Sequence, residues 1–348
     1  MLKRVLSVLA ALLPVLLLLT CCSQNVTGDR TVIDPTGDEV TIPDEITGII
    51  ARVNTASYVA AMGHADLIKA TYKYMANDRW AGYMYPALAN AVNLTGSPTA
   101  ETFYELDANL CIWSDREKNT ALREQGISAF TDKPEDMPGT VRTLAGIFGE
   151  EEWAEKWVSY YKATLEMIEK RTSGIQEKEV VYYVHGAGNE GIYHTAAGGT
   201  ISETWILQSG CRYATEGTTG FGIDITPEEL ISIDPDVIVI GGIYYEEMMD
   251  TLENTSALSE IRAVQDDRIY NVPVGLIPWD QYGVEYPLLC LWTAKTVYPE
   301  AFEDVDLTKE TKSFYADFCG VELSDEDVTY LLEGKAPGGG SLLDGETA

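Results

Sequence analysis

One segment of the chain changes from helical to strand-like patterning within a few residues, and it predicts the architecture. Residues 225–240 begin with Thr226 and Pro227 ahead of an acidic stretch, which predicts a short helix, and end in the apolar run 237–240, which predicts a buried parallel strand. A weaker copy at residues 99–113 repeats the Thr, Glu and Asp in register. Two distant copies of one α/β unit predict two similar lobes, and a cleft between lobes can close on a ligand.

Residues 150–171 follow the three- and four-residue spacing of one helix face. The helix begins with acidic residues and ends with Lys170 and Arg171, as the helix dipole favours. At 1.5 Å per residue it spans about 33 Å, enough to join two lobes; a core helix of one domain is the alternative. The positions on its apolar face are Trp153, Trp157, Tyr160, Tyr161, Thr164 and Ile168.

Strand-like and helical segments alternate on both sides of this helix, which predicts parallel sheets covered on both faces. We therefore expect an N-terminal α/β lobe at residues 23–148, an inter-lobe helix at 149–173 and a C-terminal α/β lobe at 174–332. Residues 333–348 are glycine-rich and acidic, which predicts a disordered tail.

Residues 1–22 have the pattern of a secretory signal peptide: Lys3 and Arg4, then an apolar run at 5–19 that is short for a membrane span. A cysteine directly after the run resembles a bacterial lipobox, whose thiol is lipidated before cleavage. One register makes Cys22 the lipidated residue and the other Cys21, and we favour Cys22. An ordinary secretory signal is the alternative. Both predict an extracytoplasmic protein, and a lipobox predicts a lipid anchor on the outer face of the cell membrane.

The composition is strongly acidic, with 24 Lys and Arg against 55 Asp and Glu, a formal charge of −31. Such a surface repels nucleic acid and anionic headgroups, so we expect neither partner, and it steers neutral or cationic ligands at long range. The four cysteines beyond the lipobox, Cys111, Cys211, Cys290 and Cys319, lack the C-x-x-C spacing of zinc or redox sites. A disulfide bond between Cys290 and Cys319 is possible outside the cell, and the sequence does not decide whether it forms.

Four loops rich in Tyr, Trp and His follow predicted strands, at residues 72–80, 185–194, 241–245 and 276–282. Ligands of open α/β sheets bind beyond the carboxyl ends of the strands, and aromatic rings cover broad ligand faces well. We therefore predict a ligand site from Trp279, Tyr74, Trp80, Tyr193 and Tyr244; packing of each ring within its own loop is the alternative.

His194 could ligate the metal of a cargo, although a solvated histidine is the alternative and no firm metal site is predicted. The basic residues near these loops, such as Arg52 and Arg212, form no cluster, which disfavours a strongly anionic chelate.

Several motifs together resemble a known family. They are Thr31-Val32-Ile33-Asp34 with Val40-Thr41-Ile42-Pro43, Pro235-Asp236-Val237-Ile238, Asp267-Arg268-Ile269-Tyr270, and Leu291-Trp292-Thr293-Ala294-Lys295 with Tyr298-Pro299-Glu300. In this order the chain resembles, over residues 31–320, the substrate-binding lipoproteins of ABC importers for iron-siderophores, haem and cobalamin. The resemblance implies two Rossmann-like α/β lobes joined by one long rigid helix, a ligand cleft between the lobes, small closure, and a monomer that delivers its ligand to a permease.

The resemblance also implies roles for particular residues. Trp279 and Asp280 occupy a loop that the family uses at the cleft. Glu101 and Glu228 match the glutamates that meet permease arginines, although stabilisation of their own helix dipoles is the alternative. The first copy has Ala108-Asn109 where the family has Pro-Asp, a departure that bears on Glu101.

We therefore hypothesise a tethered receptor for a metal chelate, such as a ferric siderophore, haem or a corrinoid, carried as cargo and not as a cofactor. The same fold binding an oxyanion such as molybdate, or a small metal complex, is one alternative. A secreted enzyme is another, against which stands the lack of a G-x-S-x-G, Walker, H-E-x-x-H or dinucleotide motif in the sequence.

Overall fold

The computed structural model describes residues 30–72, 75, 79–185, 191–241 and 244–342. Its strands are β1 (Arg30–Ile33), β2 (Glu39–Ile42), β3 (Ile49–Ala51), β4 (Ile68–Tyr72), β5 (Val92–Leu94), β6 (Leu110–Trp113), β7 (Ser128–Thr131), β8 (Val180–Val184), β9 (His194–Ala196), β10 (Arg212–Tyr213), β11 (Gly222–Asp224), β12 (Val237–Ile240) and β13 (Ile269–Asn271).

The α-helices alternate with these strands. They are α1 (Val53–Val59), α2 (Arg79–Met84), α3 (Ala100–Glu105), α4 (Arg116–Glu124), α5 (Met137–Phe148), α6 (Glu151–Thr172), α7 (Ile201–Gln208), α8 (Pro227–Ile233), α9 (Tyr245–Asn254), α10 (Arg262–Gln265), α11 (Tyr286–Val297), α12 (Leu307–Phe314) and α13 (Asp325–Leu332). No helix in the described ranges is long and apolar enough to cross a membrane.

Each lobe contains its own sheet. The N-terminal sheet has the order β5-β4-β3-β6-β7 with all neighbours parallel. The C-terminal sheet has the order β11-β9-β8-β12-β13, with β10 also beside β8; its centre is parallel and β9 and β11 are antiparallel. The central strands β6 and β12 are buried on both faces, as strands covered by helices on both sides must be. The predicted fold class is confirmed.

The repeated unit seen in the sequence is a structural repeat. Thr99 caps α3 and Thr226 caps α8, each in a reciprocal capping box that satisfies first-turn N–H groups. Each helix is followed by an aspartate with a left-handed backbone, Asp107 at φ 51° and Asp234 at φ 45°, which turns the chain directly into β6 or β12. The shared Thr and Asp therefore set the two ends of each helix.

Helix α6 connects the lobes, one residue from its predicted bounds. It packs against α5 on the N-terminal side and against α7 and α11 on the C-terminal side. Trp157 is fully buried on its inner face and donates from Nε1 to the carbonyl of Val284 at 3.0 Å. One apolar cluster contains residues of both sheets and of this helix, for example Ile112, Trp157 and Val239. The lobes are thus joined by a continuous core as well as by the helix.

The last part of the chain returns to the N-terminal lobe, which corrects the predicted extent of the C-terminal lobe. Tyr85 Oη donates to the carbonyl of Cys319 at 2.7 Å. Residues 333–342 are also packed, which corrects the predicted disorder of that stretch: Trp80 Nε1 donates to the carbonyl of Lys335 at 2.7 Å, and Ala336 is fully buried. Residues 343–348 lie outside the described residues.

The four cysteines of the described chain, Cys111, Cys211, Cys290 and Cys319, are all buried and free. The open possibility of a bond between the last two is therefore not realised in this structure. Burial raises the pKa of each thiol, so these thiols stay protonated and act as small apolar groups in the core.

Candidate functional site

A cavity of about 490 Å³ lies between the lobes. The N-terminal lobe lines it with residues 52–54, directly after β3, and with residues 134–137, which follow β7. The C-terminal lobe lines it with His185 after β8, with the start of α7 and with residues 280–282, and α6 contributes Tyr161. The cavity therefore opens where the carboxyl ends of both sheets meet, the place at which α/β folds bind ligands.

Arg52 and Asn54 form the polar part of the N-terminal wall. The only hydrogen bond that the Arg52 guanidinium makes within the described chain is to Ser114 Oγ, and it has no carboxylate partner there. Asn54 Nδ2 donates to Asp132 Oδ2 at 3.3 Å. Asp132 is buried behind the wall, and burial raises the pKa of its carboxyl, opposed by the charge of Arg52. The guanidinium therefore lies beside the cavity, and some of its N–H groups are available to a ligand.

The C-terminal wall centres on His185 and Asp280. Asp280 is buried, and its Oδ2 accepts from Tyr183 Oη at 2.7 Å. Gly241 leaves room for this carboxylate, because a Cβ atom there would collide with Asp280 Oδ2. Burial lowers the pKa of His185, as does neighbouring His194, while Asp280 raises it. The imidazole therefore faces the cavity in its neutral form at neutral pH.

Aromatic side chains and hydroxyl groups complete the lining. Tyr282 Oη and Ser202 Oγ are 2.6 Å apart, and Tyr286 Oη donates to Gln208 at 2.8 Å. Tyr161 stacks on Tyr286 with ring centroids 6.1 Å apart. At the rim, Phe221 is 80% exposed and lies edge-on to the ring of His185. Such a lining offers flat apolar faces together with hydrogen-bonding groups.

The structure places two of the predicted aromatic residues behind the cavity walls. Trp279 is only 1% exposed and is not part of the lining, whereas the next residue, Asp280, is. Trp80 is fully buried, with its ring 5.5 Å from that of Tyr83 and its indole N–H on the C-terminal segment. Both indoles are core residues, and Trp80 lies in helix α2 and not in the predicted loop.

Three other predicted residues, Tyr193, His194 and Tyr244, also lie away from the lining. Tyr193 and Tyr244 are half-buried against the outer core of the C-terminal lobe. His194 begins β9, its Nδ1 lies 2.6 Å from Asp224 Oδ1, and its ring is 5.6 Å from that of His185. It supports His185 from behind the wall. Tyr74 and the lipidation candidates Cys21 and Cys22 lie outside the described residues.

Sequence reasoning missed most of the residues that do form the lining. Arg52, Asn54 and His185 carried a usable signal, because each lies within three residues of the end of a predicted strand. Tyr161 and Tyr286 carried none, since their positions on α6 and α11 become cavity positions only through the packing of those helices. The described residues contain no group of three His, Cys, Asp or Glu side chains able to hold a metal ion.

Glu101 and Glu228 lie on the surface, each the second residue of its helix, α3 or α8. They are thus equivalent positions of the structural repeat, one on each lobe. Neither carboxylate has an ion-pair partner in the described structure.

The sequence model of the periplasmic binding protein family matches residues 127–274. The fold is also shared with a solved periplasmic solute binding protein. The match covers less than half of the chain, and together with the shared fold it makes the chain similar to periplasmic binding proteins. The proteins of that family are periplasmic, and residues 1–22 predict an extracytoplasmic location for this chain.

Several known proteins resemble the chain at low sequence identity. The molybdate-binding protein MolA of Haemophilus influenzae is 21% identical over 335 residues, covering 86% of this chain and 94% of MolA. A periplasmic solute binding protein of Veillonella parvula is 26% identical with a TM-score of 0.75, covering 88% and 97% of the two chains. Helicobacter pylori CeuE, solved with Ni(II) bound, is 19% identical with a TM-score of 0.72, covering 86% and 99%.

Proposed function

We propose that this protein is a periplasmic binding protein that captures a metal chelate, such as a ferric siderophore, haem or a corrinoid, and delivers it to an ABC permease. The observation that carries the proposal is the cavity of about 490 Å³ between the lobes, walled by Tyr161, Tyr282 and Tyr286. This volume is typical of small-molecule sites, and flat aromatic walls suit ligands with broad faces. The metal belongs to the cargo, and we assign no cofactor to the protein.

The match of residues 127–274 to the periplasmic binding protein family favours capture over catalysis. In the solved structure of MolA the protein is described as the cognate binding protein of an ABC transporter. By analogy, an ABC permease is the partner that we propose here, with the protein held at the outer face of the membrane by a lipid on Cys22, or on Cys21. Mass spectrometry of the mature N-terminal peptide tests the lipid anchor. An unmodified N-terminal peptide would contradict the anchor.

A second candidate keeps the fold and changes the ligand to an oxyanion or a small metal complex. Arg52, which has no ion pair in the described chain and lines the cavity, favours it, and the relative MolA binds molybdate. A tetrahedral oxyanion would fill only a small part of a cavity of about 490 Å³, which is why we place it second.

Calorimetry on residues 23–348 separates these candidates. We expect tight binding of one compound among haemin, cyanocobalamin, a ferric hydroxamate and a ferric catecholate. If only molybdate or tungstate binds, the oxyanion becomes the favoured ligand in place of the metal chelate. Turnover of a small substrate without tight binding of any of these compounds would support the enzyme alternative.

The rim residue Phe221 provides a site-directed check on the same cavity. Phe221→Ala removes an exposed ring, so it leaves the fold intact while it weakens binding by about five- to tenfold, as expected for the loss of one aromatic contact of about 1 kcal/mol. The control is Tyr83→Ala, which removes a ring that is 53% exposed and does not line the cavity. Equal ligand affinities of the two variants would contradict the proposal that the ligand binds in this cavity.

Docking on the permease is assigned to Glu101 and Glu228, which would each meet an arginine in a charge-assisted hydrogen bond. The double variant Glu101→Ala with Glu228→Ala is expected to abolish uptake while ligand affinity is unchanged. Uptake of radiolabelled cargo by cells and calorimetry on the purified variant measure the two quantities. Normal uptake would show that the glutamates only stabilise their own helices.

A further inference from the structure

Helix α3 presents a rigid polar and aromatic face to the solvent. The capping box of Thr99 holds its first turn, and Phe103, which is 1% exposed, anchors it in the N-terminal lobe. With Phe103 turned inward, Glu101, Tyr104 and Glu105 are left on the surface. Tyr104 is 73% exposed, one of the most exposed large side chains of the described structure. Its exposure is therefore a consequence of how the helix is fixed.

Tyr104 lies three residues after Glu101, so the two side chains are neighbours on one helix face with Cβ atoms about 5–6 Å apart. This spacing suits a single guanidinium. An arginine can form two parallel hydrogen bonds to a carboxylate while its planar face lies on a phenol ring, and the cation is attracted to the ring electrons. A lysine has no such planar group, so the pair favours arginine.

The charge around the pair fits a basic partner. Glu105 and Asp107 flank Tyr104 on the exposed side of α3 and its turn, and the whole chain has a formal charge of −31. An aromatic ring in an acidic surface can bind a cationic side chain of a partner through a cation–π interaction. This interaction is stronger when the partner also removes water from the ring.

The equivalent helix of the C-terminal lobe lacks this ring. Glu228 on α8 corresponds to Glu101, and Ile231 corresponds to Tyr104, but Ile231 is half-buried against the core of its lobe. The two lobes therefore offer unlike contacts: a carboxylate with a ring on one side and a carboxylate alone on the other.

We propose that Tyr104 is a second docking residue, whose ring stacks on the same permease arginine that the Glu101 carboxylate binds. The inference rests on the proposed delivery to a permease and adds the chemistry of one contact. It commits to an arginine-bearing surface as the partner, and it makes the N-terminal lobe the more tightly held of the two lobes.

The test measures binding of the solute-free protein to its cognate permease–ATPase complex in lipid nanodiscs by biolayer interferometry. Tyr104→Leu keeps an apolar side chain and removes the ring, and is expected to raise Kd about fivefold, while Tyr104→Phe keeps the ring and the affinity. Tyr83→Leu, a change at another exposed ring, is the matched control and leaves Kd unchanged. Thermal unfolding midpoints equal to that of the parent protein verify that the variants are folded.

A double-mutant cycle with Glu101→Gln decides whether the two residues share one partner. If they do, Tyr104→Leu costs less in the Glu101→Gln background than in the parent protein. The proposal is overturned if the Kd increase of the double variant equals the product of the increases of the two single variants. It is also overturned if Tyr104→Leu binds as tightly as the parent protein. If Glu101→Gln and Glu228→Gln also leave Kd unchanged, the docking role of the proposed function fails as well; if they weaken binding, only the role of Tyr104 is lost.

Discussion

Glu285 is a fully buried carboxylate of the interior. It lies where the C-terminal lobe meets the last helices, and its Oε1 accepts from the backbone N–H of Leu276 at 2.6 Å and from Tyr315 Oη at 2.9 Å. Its Oε2 is buried and has no partner within the described chain. Burial raises the pKa of this carboxyl to about 7, against the stabilising hydrogen bonds from Tyr315 and Leu276. A proton on Glu285 is thus part of the folded state in mildly acidic solution.

This proton makes stability depend on pH. The unfolded carboxyl titrates at 4.5 and the folded one at about 7, so the stabilisation is complete below pH 4.5 and is lost as the pH rises through 7. The difference corresponds to about 3 kcal/mol in the free energy of unfolding. The variant Glu285→Gln cannot ionise at this position. Between about pH 4.5 and about pH 8, its free energy of unfolding is therefore expected to fall by about 3 kcal/mol less than that of the parent protein.

Urea unfolding of the parent protein and of Glu285→Gln at the two pH values measures this difference. Glu300→Gln, a change at an exposed glutamate, is the control and should follow the parent protein. Parallel pH profiles for the parent and Glu285→Gln would mean that the carboxyl is already ionised in the folded protein.

At the same scale, two of the four predicted loops, 185–194 and 276–282, contribute to the cavity lining, through His185 and residues 280–282. Trp279 and Asp280 are adjacent, yet only the aspartate lines the cavity. Which of two neighbouring loop residues points into a cleft depends on backbone angles set by distant contacts. Large indoles are also the groups that gain most from burial, so a tryptophan near a cleft is readily taken into the core.

At the scale of elements, the long helix and the repeated unit were predictable because their signals are local. The face of α6 follows from spacing alone, and the caps Thr99 and Thr226 mark the starts of α3 and α8. Residues 333–342 were not predictable from composition. Their order comes from distant partners, with Trp80 bound to the carbonyl of Lys335 and Asn271 close to the carbonyl of Glu333.

Deleting this stretch tests its contribution. Removal of residues 333–348 takes away the buried Ala336 and the carbonyl that accepts from Trp80, and is expected to lower the free energy of unfolding by about 2–3 kcal/mol. Removal of residues 343–348 alone leaves these contacts in place and is the matched control. Urea unfolding followed by circular dichroism measures both. Equal midpoints would show that the stretch adds no stability.

At the scale of the molecule, the two-lobe architecture followed from the repeat, the helix and the family resemblance. What the sequence could not reveal is how firmly the lobes are connected. Tyr58 on α1 donates to the carbonyl of Gly283 at 3.0 Å, and Trp153 on α6 donates to the carbonyl of Phe318 at 2.9 Å. With an apolar core running through this region, rotation of one lobe against the other has to break packed contacts, so a small closure is expected.

The return of the last helices to the first lobe also has a consequence for biogenesis. The ribosome makes residues 30–148 first, but Tyr58 and Tyr85 make hydrogen bonds to segments near residues 283 and 319, which are synthesised much later. Until those segments are synthesised, the first half of the polypeptide lacks part of its interior and gains little from compaction. We therefore expect the first lobe to complete its fold only after the last helices have been synthesised.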